Sequence, residues 1–501
     1  MKDAHFRQNG TSSSASPYRR SFGALAVVAG CSLAVGCKGS PEATPSSSLA
    51  RASATASSSS STPTTAVSSP AVSSPALTST SAASSLSPSP TATEPVLDPT
   101  SDPAALRTVA VGDADFAVRL LARLESEGPN RFVSPTSIRM AFAMAHAGAK
   151  DDTAGEMAKA LGFGSTSARE VAAGVSAMLG AFDARAVLPK TDPSRAWELE
   201  AAKHKRVIVR VVNRLWGQRD HAFVPAFTKA LDTSFRAPLE TLDFAKDPEL
   251  ARGRINGWVS DRTESKIQDL LAPRTVTTAT RLVLTNAVYF RASWQKEFVP
   301  YQTKPAAFTT ASGAVVQVPT MHQGGHWNYA ETDAAQILSM PYGDPSLEMI
   351  VVLPKAKDGL GALEASMRGA DLERWATSAK DRRVDVAFPK FRVGSSFDLV
   401  RTMRALGMVK AFEEGVADFR GMDGTRDLFL GTAVHKAWID VNEEGTEAAA
   451  ATAVGAVGAG MPPPETPTPF VADHPFFFYV RDTKAKTILF AGHVADPSVR
   501  P

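Results

Sequence analysis

No aromatic residue occurs between Phe22 and Phe116. A stretch that long without large apolar side chains cannot bury enough surface to offset the entropy of ordering it. Any compact core must therefore be built downstream. Residues 38–103 are dominated by Ser, Thr, Pro and Ala, as in SSSSSTPTTAVSSPAVSSPALTSTSAASS, and beyond Lys38 carry charge only at Glu42, Arg51, Glu94, Asp98 and Asp102. This is the composition of an extended tether kept open by its prolines. The folded body is expected over 104–501.

The segment before the tether has a different character. Phe22–Gly36 (FGALAVVAGCSLAVG) is apolar, rich in small residues and preceded by Arg19 and Arg20. That is the pattern of an export signal, and at about 15 residues it is short for a spanning helix. The chain has two cysteines, Cys31 and Cys37. Val28-Ala29-Gly30-Cys31 and Ala34-Val35-Gly36-Cys37 both resemble a bacterial lipobox, in which the cysteine is diacylated and becomes the new N-terminus. Residues 1–37 are thus expected to be a lipoprotein-type signal peptide, with lipidation at Cys37 or Cys31. Two acyl chains would hold the protein firmly on a membrane. Lys38 or Ser32 would follow the acylated residue, and neither is an Asp. This favours the outer membrane or cell surface over inner-membrane retention; the alternative is release to the extracellular space.

In the whole chain 44% of residues are hydrophobic and 21% charged, the make-up of a globular protein. The net charge is +3. Lys2, Arg7, Arg19, Arg20 and Lys38 against Asp3 more than account for it. A nearly neutral body carries no footprint for nucleic acid. Helical patterns come first, at Asp113–Leu124 and Ile138–Ala147, the latter with Ser134 as cap and Pro135 at the first helical position. Strand patterns come later: Val207–Leu215, Leu282–Phe290, Met349–Leu353, Asp385–Phe388, Trp438–Val441, Phe476–Val480 and Thr487–Ala491. Helices early and strands late, without regular alternation, predict an α+β fold with largely antiparallel sheets.

Catalytic motifs are sparse. There is no G-x-S-x-G, no phosphate-binding glycine loop and no H-E-x-x-H. Ser293-Trp-Gln-Lys296 fits S-x-x-K but follows a strand and lacks its partner motifs. His322-Gln-Gly-Gly-His326 has a ligand-like spacing, yet its glycines argue against a helix. Lys203-His-Lys-Arg206, with Arg210 and Arg214, reads as a solvated strand entrance. No cofactor and no metal are expected.

One segment is unlike the rest. Ile439–Val454 reads IDVNEEGTEAAAATAV, and is followed by a glycine-rich stretch to Gly460 and a proline-rich one over Pro462–Pro469. A core gains little from four alanines, and the glycines and β-branched residues break a helix. A segment of about 30 residues without a core pattern is uncommon unless it has a function or is disordered. It closely resembles the hinge of the reactive-centre loop in serpins, the serine-protease-inhibitor superfamily. Other similar stretches stand in order: Asn130–Ile138, Asn213–Gln218, Leu282–Trp294, His435–Asp440, Pro475–Asp482 and Ile488–Val494.

The resemblance implies a single α+β domain with three β-sheets, eight or nine helices and an exposed loop over about 443–473. It implies a monomeric suicide inhibitor, not an enzyme, whose partner is a serine protease. Cleavage of the loop forms an acyl-enzyme, and the loop then inserts as an extra strand in the large sheet. The hinge residues are Glu443, Glu444, Gly445, Thr446, Glu447, Ala448, Ala449, Ala450, Ala451 and Thr452. On strand alternation Thr446, Ala448, Ala450 and Thr452 share an uncharged face that can be buried without overpacking. Ser134, Ser137, Asn286 and His435 match the shutter positions, a polar network under the point where the sheet opens, and Trp294 matches the breach. The family's spacing puts the reactive bond at Ala459-Gly460. The long distal loop leaves about two residues of latitude. No Lys or Arg lies between Lys436 and Arg481, so an elastase-like or subtilisin-like target is expected. Two alternatives stay open: an inhibitor of papain-like cysteine proteases, and a non-inhibitory binding or chaperone-like module.

Overall fold

A computed structural model describes residues 103–125, 128–187, 207–446 and 466–500. The export segment with Cys31 and Cys37, the tether and Lys203–Arg206 lie outside the described residues. So do the hinge residues Glu447–Thr452 and the Ala459-Gly460 bond.

The described residues form fifteen strands. The first eight are β1 (Arg131–Val133), β2 (Ile208–Gln218), β3 (Glu240–Leu242), β4 (Leu282–Ser293), β5 (Lys304–Thr309), β6 (Val315–Glu331), β7 (Ala335–Pro341) and β8 (Leu347–Pro354). The others are β9 (Lys380–Pro389), β10 (Phe391–Asp398), β11 (Thr432–Asn442), β12 (Gly445–Thr446), β13 (Thr468–Val471), β14 (Phe476–Asp482) and β15 (Thr487–Val494). Every strand expected from the sequence is present, most of them longer.

The strands hydrogen-bond as two sheets. One has six strands in the order β10-β11-β12-β4-β2-β3. The other has nine, in the order β1-β15-β14-β8-β7-β6-β9-β13, with β5 also on β6. The three sheets anticipated become two because β6 is long enough to serve two neighbourhoods. Its first part pairs with β5 and its last with β7, while Thr320–Tyr329 pair with Lys380–Pro389. Among the described residues eleven α-helical segments occur, two of them beyond the expected eight or nine and one only four residues long.

The helix Pro135–His146 packs against β15 of one sheet and against β4 and β2 of the other. All twelve of its residues are buried. Pro135 opens it and the Ser134 side chain accepts from Ser137 N at 3.2 Å, so the predicted cap is where the sequence put it. β4 is buried on both faces for all but Arg291, which explains its continuous apolar run. Between the sheets Phe132 stacks on Phe478 and Phe490. Asp113 opens a helix as expected but is buried: it pairs with Arg139 at 2.9 Å and accepts from Ile488 N at 2.6 Å.

The remaining sequence motifs are absorbed by this framework. Ser293 ends β4, and Trp294 bridges to Tyr342. His322 and His326 both lie on β6, with His326 Nδ1 3.0 Å from Asp381. Among the described residues no group of three or more His, Cys, Asp or Glu could hold a metal. Arg210 pairs with Glu264, and Arg214 with Glu240, its guanidinium 4.3 Å from the Trp258 ring centre.

Candidate functional site

The six-stranded sheet has an unusual centre. β4 and β11 run parallel and pair directly over Val283–Tyr289 and Thr432–Trp438. Above that, β12 sits between them, antiparallel to both: Gly445 and Thr446 pair with Asn442 and Val441 on one side and with Ser293 and Ala292 on the other. The seam is shut below and wedged above.

Below the wedge lies a buried polar network. The register sets His435 opposite Asn286, and Asn213 of β2 opposite Asn286 on its other side. The Asn286 amide donates to Ser137 O at 2.9 Å and Ser137 Oγ at 2.7 Å, and also meets Asn213 Oδ1. Asn213 Nδ2 donates to Ser137 O at 3.1 Å. Ser134 Oγ donates to Leu489 O at 2.6 Å, tying the helix entrance to β15. Ser134 N–H donates to His435 Nε2 at 3.2 Å. That nitrogen must therefore carry a lone pair, so His435 Nδ1 holds the proton and donates to Asn286 Oδ1. Burial pushes the His435 imidazole down to about 3, and it is neutral at pH 7. Ser134, Ser137, Asn286 and His435 are thus brought together. Asn213 belongs with them and was not singled out; its signal is a lone amide inside the β-branched run VIVRVVNRL.

The wedge is held by packing and hydrogen bonds. Gly445 has φ +152°, and a Cβ there would meet Ala292 O at 2.2 Å and Ser293 Cα at 2.6 Å. Only glycine fits so close to a neighbouring backbone. Thr446 is fully buried, and its hydroxyl is 2.9 Å from Tyr342 Oη. Tyr342 stacks on Trp294, ring centres 4.6 Å apart, and Trp294 Nε1 donates to Asn442 O at 3.0 Å. Trp294 N–H and Phe298 N–H donate to Glu444 O and Glu443 O, each at 2.8 Å. The Glu443 carboxylate accepts from Lys390 Nζ and Thr303 Oγ1, both at 2.7 Å. Burial raises its pKa, but these two bonds outweigh it and hold the group below its usual range. Tyr342, Lys390 and Thr303 are partners that the sequence does not advertise.

The far end of the expected loop is also fixed. Thr468–Val471 form β13, parallel to β9, with Phe470 fully buried. The segment between Thr446 and β13 therefore starts inside one sheet and ends at the edge of the other.

This arrangement is a seam between two parallel strands with an antiparallel wedge at one end. A family model described as serpin (serine protease inhibitor) matches residues 112–497. Serpin B3 of Homo sapiens is 35% identical over 383 residues, covering 74% of this chain and 95% of its own length. The leukocyte elastase inhibitor of Sus scrofa is 35% identical over 405 residues, covering 78% of this chain and 100% of its own. Among solved structures, Serpin48 of the insect Tenebrio molitor matches with a TM-score of 0.64 and 30% identity, over 78% of this chain and 98% of that one.

Proposed function

Because the chain belongs to the serpin family, we propose that it is a suicide inhibitor of serine endopeptidases. The observation that carries this reading is the position of β12. The hinge is already threaded antiparallel between β4 and β11, so the residues after Thr446 have only to continue its path. A protease serine attacks the carbonyl at the reactive bond, near Ala459-Gly460; the C–N bond breaks, and the new amine stays on the C-terminal piece, which remains in the fold through β14 and β15. The hinge Glu447–Thr452 then extends β12 down the seam. Thr446, Ala448, Ala450 and Thr452 turn inward, and Glu447 stays on the solvent side. Strand addition replaces the direct β4–β11 pairing with two antiparallel ladders, and the acyl-enzyme is trapped before water can release it. The inhibitor is consumed in the process.

The absence of Lys and Arg from the loop favours an elastase-like or subtilisin-like target over a trypsin-like one. The expected result with the full chain is an SDS-stable covalent complex with such a protease and a released peptide beginning near Gly460, read by gel and mass spectrometry. Clean cleavage without a complex, across several elastase-like, subtilisin-like and papain-like proteases, would overturn inhibition in favour of a binding module. The N-terminal pattern supports export and acylation at Cys37 or Cys31, which would place a monomeric inhibitor on the cell envelope at the end of its tether. Incorporation of a labelled fatty acid that is lost in a Cys31/Cys37 double serine variant tests the anchor.

A further inference from the structure

β2 is covered along only part of one edge. On one side it pairs with β4 over Ile208–Gly217. On the other, β3 meets only Trp216–Gln218. Among the described residues, Ile208–Leu215 make no backbone–backbone hydrogen bond outside the β4 ladder. Alternate residues of an antiparallel strand turn their N–H and C=O away from the partner, so this edge offers unpaired backbone groups, a template for another strand. A cleft of about 350 Å³ runs along it, lined by six consecutive residues of β2, Val209–Arg214. Consecutive strand residues point to opposite faces, so they share a cleft only along the strand's edge. The opposite wall is the helix Ala168–Ala186, which presents Val175, Leu179 and Phe182, spaced for one helical face.

Strand alternation sorts the two sides of the cleft. Val209 and Val211 turn inward, to the core that holds Phe182. Arg210, Val212 and Arg214 turn outward, towards the helix Pro248–Arg262. The inner wall is apolar except for Asp183, which Arg236 takes up. The outer rim is cationic. Arg210 pairs with Glu264 at 2.7 Å, both half exposed, and such pairs exchange readily. Arg214 pairs with Glu240, its guanidinium against Trp258. Arg262, 5.9 Å from the same ring centre, has no acidic partner among the described residues and is exposed. An added strand would alternate in the same way, one set of side chains meeting the apolar wall and the other the arginines. We propose that this cleft binds an extended peptide of alternating apolar and acidic residues by strand addition to β2, its apolar side chains beside Leu179 and Phe182 and its acids facing Arg262 and Arg210. This site is independent of the inhibitory reading, since β4 stands between β2 and the seam.

The probe is a fluorescently labelled heptapeptide that alternates valine and glutamate, titrated with the full chain and read by anisotropy. Saturable one-site binding is expected. Glutamine in place of its glutamates should weaken binding by about tenfold, the loss expected for charge-assisted contacts. Arg262→Glu should weaken it by a similar factor, and so should Leu179→Glu, which charges the inner wall. Arg262 is exposed, so its variant covers a folding failure of the other. Methylating the peptide's backbone amides at alternate residues reads the strand pairing directly. One parity should abolish binding and the other spare it, because alternate N–H groups face the edge. No saturable binding, equal binding of the glutamine peptide, tolerance of both methylated peptides, or indifference to both substitutions would each overturn the site. The last result would place the peptide elsewhere, as in the β4–β11 seam.

Discussion

The two ends of the β4–β11 seam are held by different chemistry. At the lower end the strands touch, and a network of neutral groups crosses between them, buried at His435, Asn286 and the helix entrance Ser134–Ser137 and half-buried at Asn213. At the upper end the strands are parted by two residues, held by the Thr446–Tyr342–Trp294 stack and the half-exposed Lys390–Glu443 pair. A buried network with every partner in place is costly to break halfway. A partly exposed ion pair yields more easily. On the proposed insertion mechanism, the seam opens from the wedge downward, and the network resists its opening further without a new strand to fill it.

Substitution at each end separates these contributions. The largest effect is expected for Thr446→Arg, which asks a guanidinium to occupy a fully buried, uncharged position. The wedge should be expelled and covalent trapping lost, with the loop still cleaved, as read by the ratio of complex to cleaved product on a denaturing gel. At the lower end, Asn286→Ala removes the partner of His435 Nδ1–H and the amide donor to Ser137 Oγ and should cost about 3 kcal/mol in denaturant unfolding, at about 1–3 kcal/mol per buried group left unsatisfied.

A third effect depends on pH. His435 takes no proton in the native state until about pH 3, whereas the unfolded chain takes one near 6.5. Its stabilising contribution is complete above pH 6.5 and is lost as pH falls from 6.5 towards 3, at about 1.4 kcal/mol per pH unit. Stability curves at pH 7 and pH 5 should differ by about 2 kcal/mol from this group alone, and His435→Asn should remove that difference. The smallest effect is expected for Glu443→Gln, which weakens the upper clamp by about 1 kcal/mol. It should show as faster spontaneous conversion to a form that no longer traps protease, followed by loss of activity on storage. If Glu443→Gln proved costlier than Asn286→Ala, the roles of the two ends would be reversed.

The sequence carried much of this site and missed part of it for definite reasons. The strand β4, the helix entrance and the hinge are contiguous motifs with period and composition that can be read directly. His435 and Asn286 were recognisable by the pattern around them. Tyr342, Lys390 and Thr303 were not, because each comes from a separate element and only the crossing topology brings it to the wedge. β6 was invisible because Pro319 and the Gly324-Gly325 pair interrupt its strand signal. The helix Pro248–Arg262 buries little more than Ala251, Ile255 and Val259, with Asn256 beside them, too thin a stripe to stand out. Asp113 reads in the sequence only as the acidic start of a helix, and the fold shows it sealed against Arg139.

The strands β13, β14 and β15 lie downstream of the loop, and the last two are interior members of the nine-stranded sheet. Phe476, Phe477, Phe478, Tyr479 and Phe490 are fully buried there, and Leu489 accepts the Ser134 hydroxyl. Covalent continuity through the loop is thus not what keeps the C-terminal segment in place. On the proposed reading, scission near Gly460 would yield a particle of two chains, the shorter one held in as a core subunit by β14 and β15.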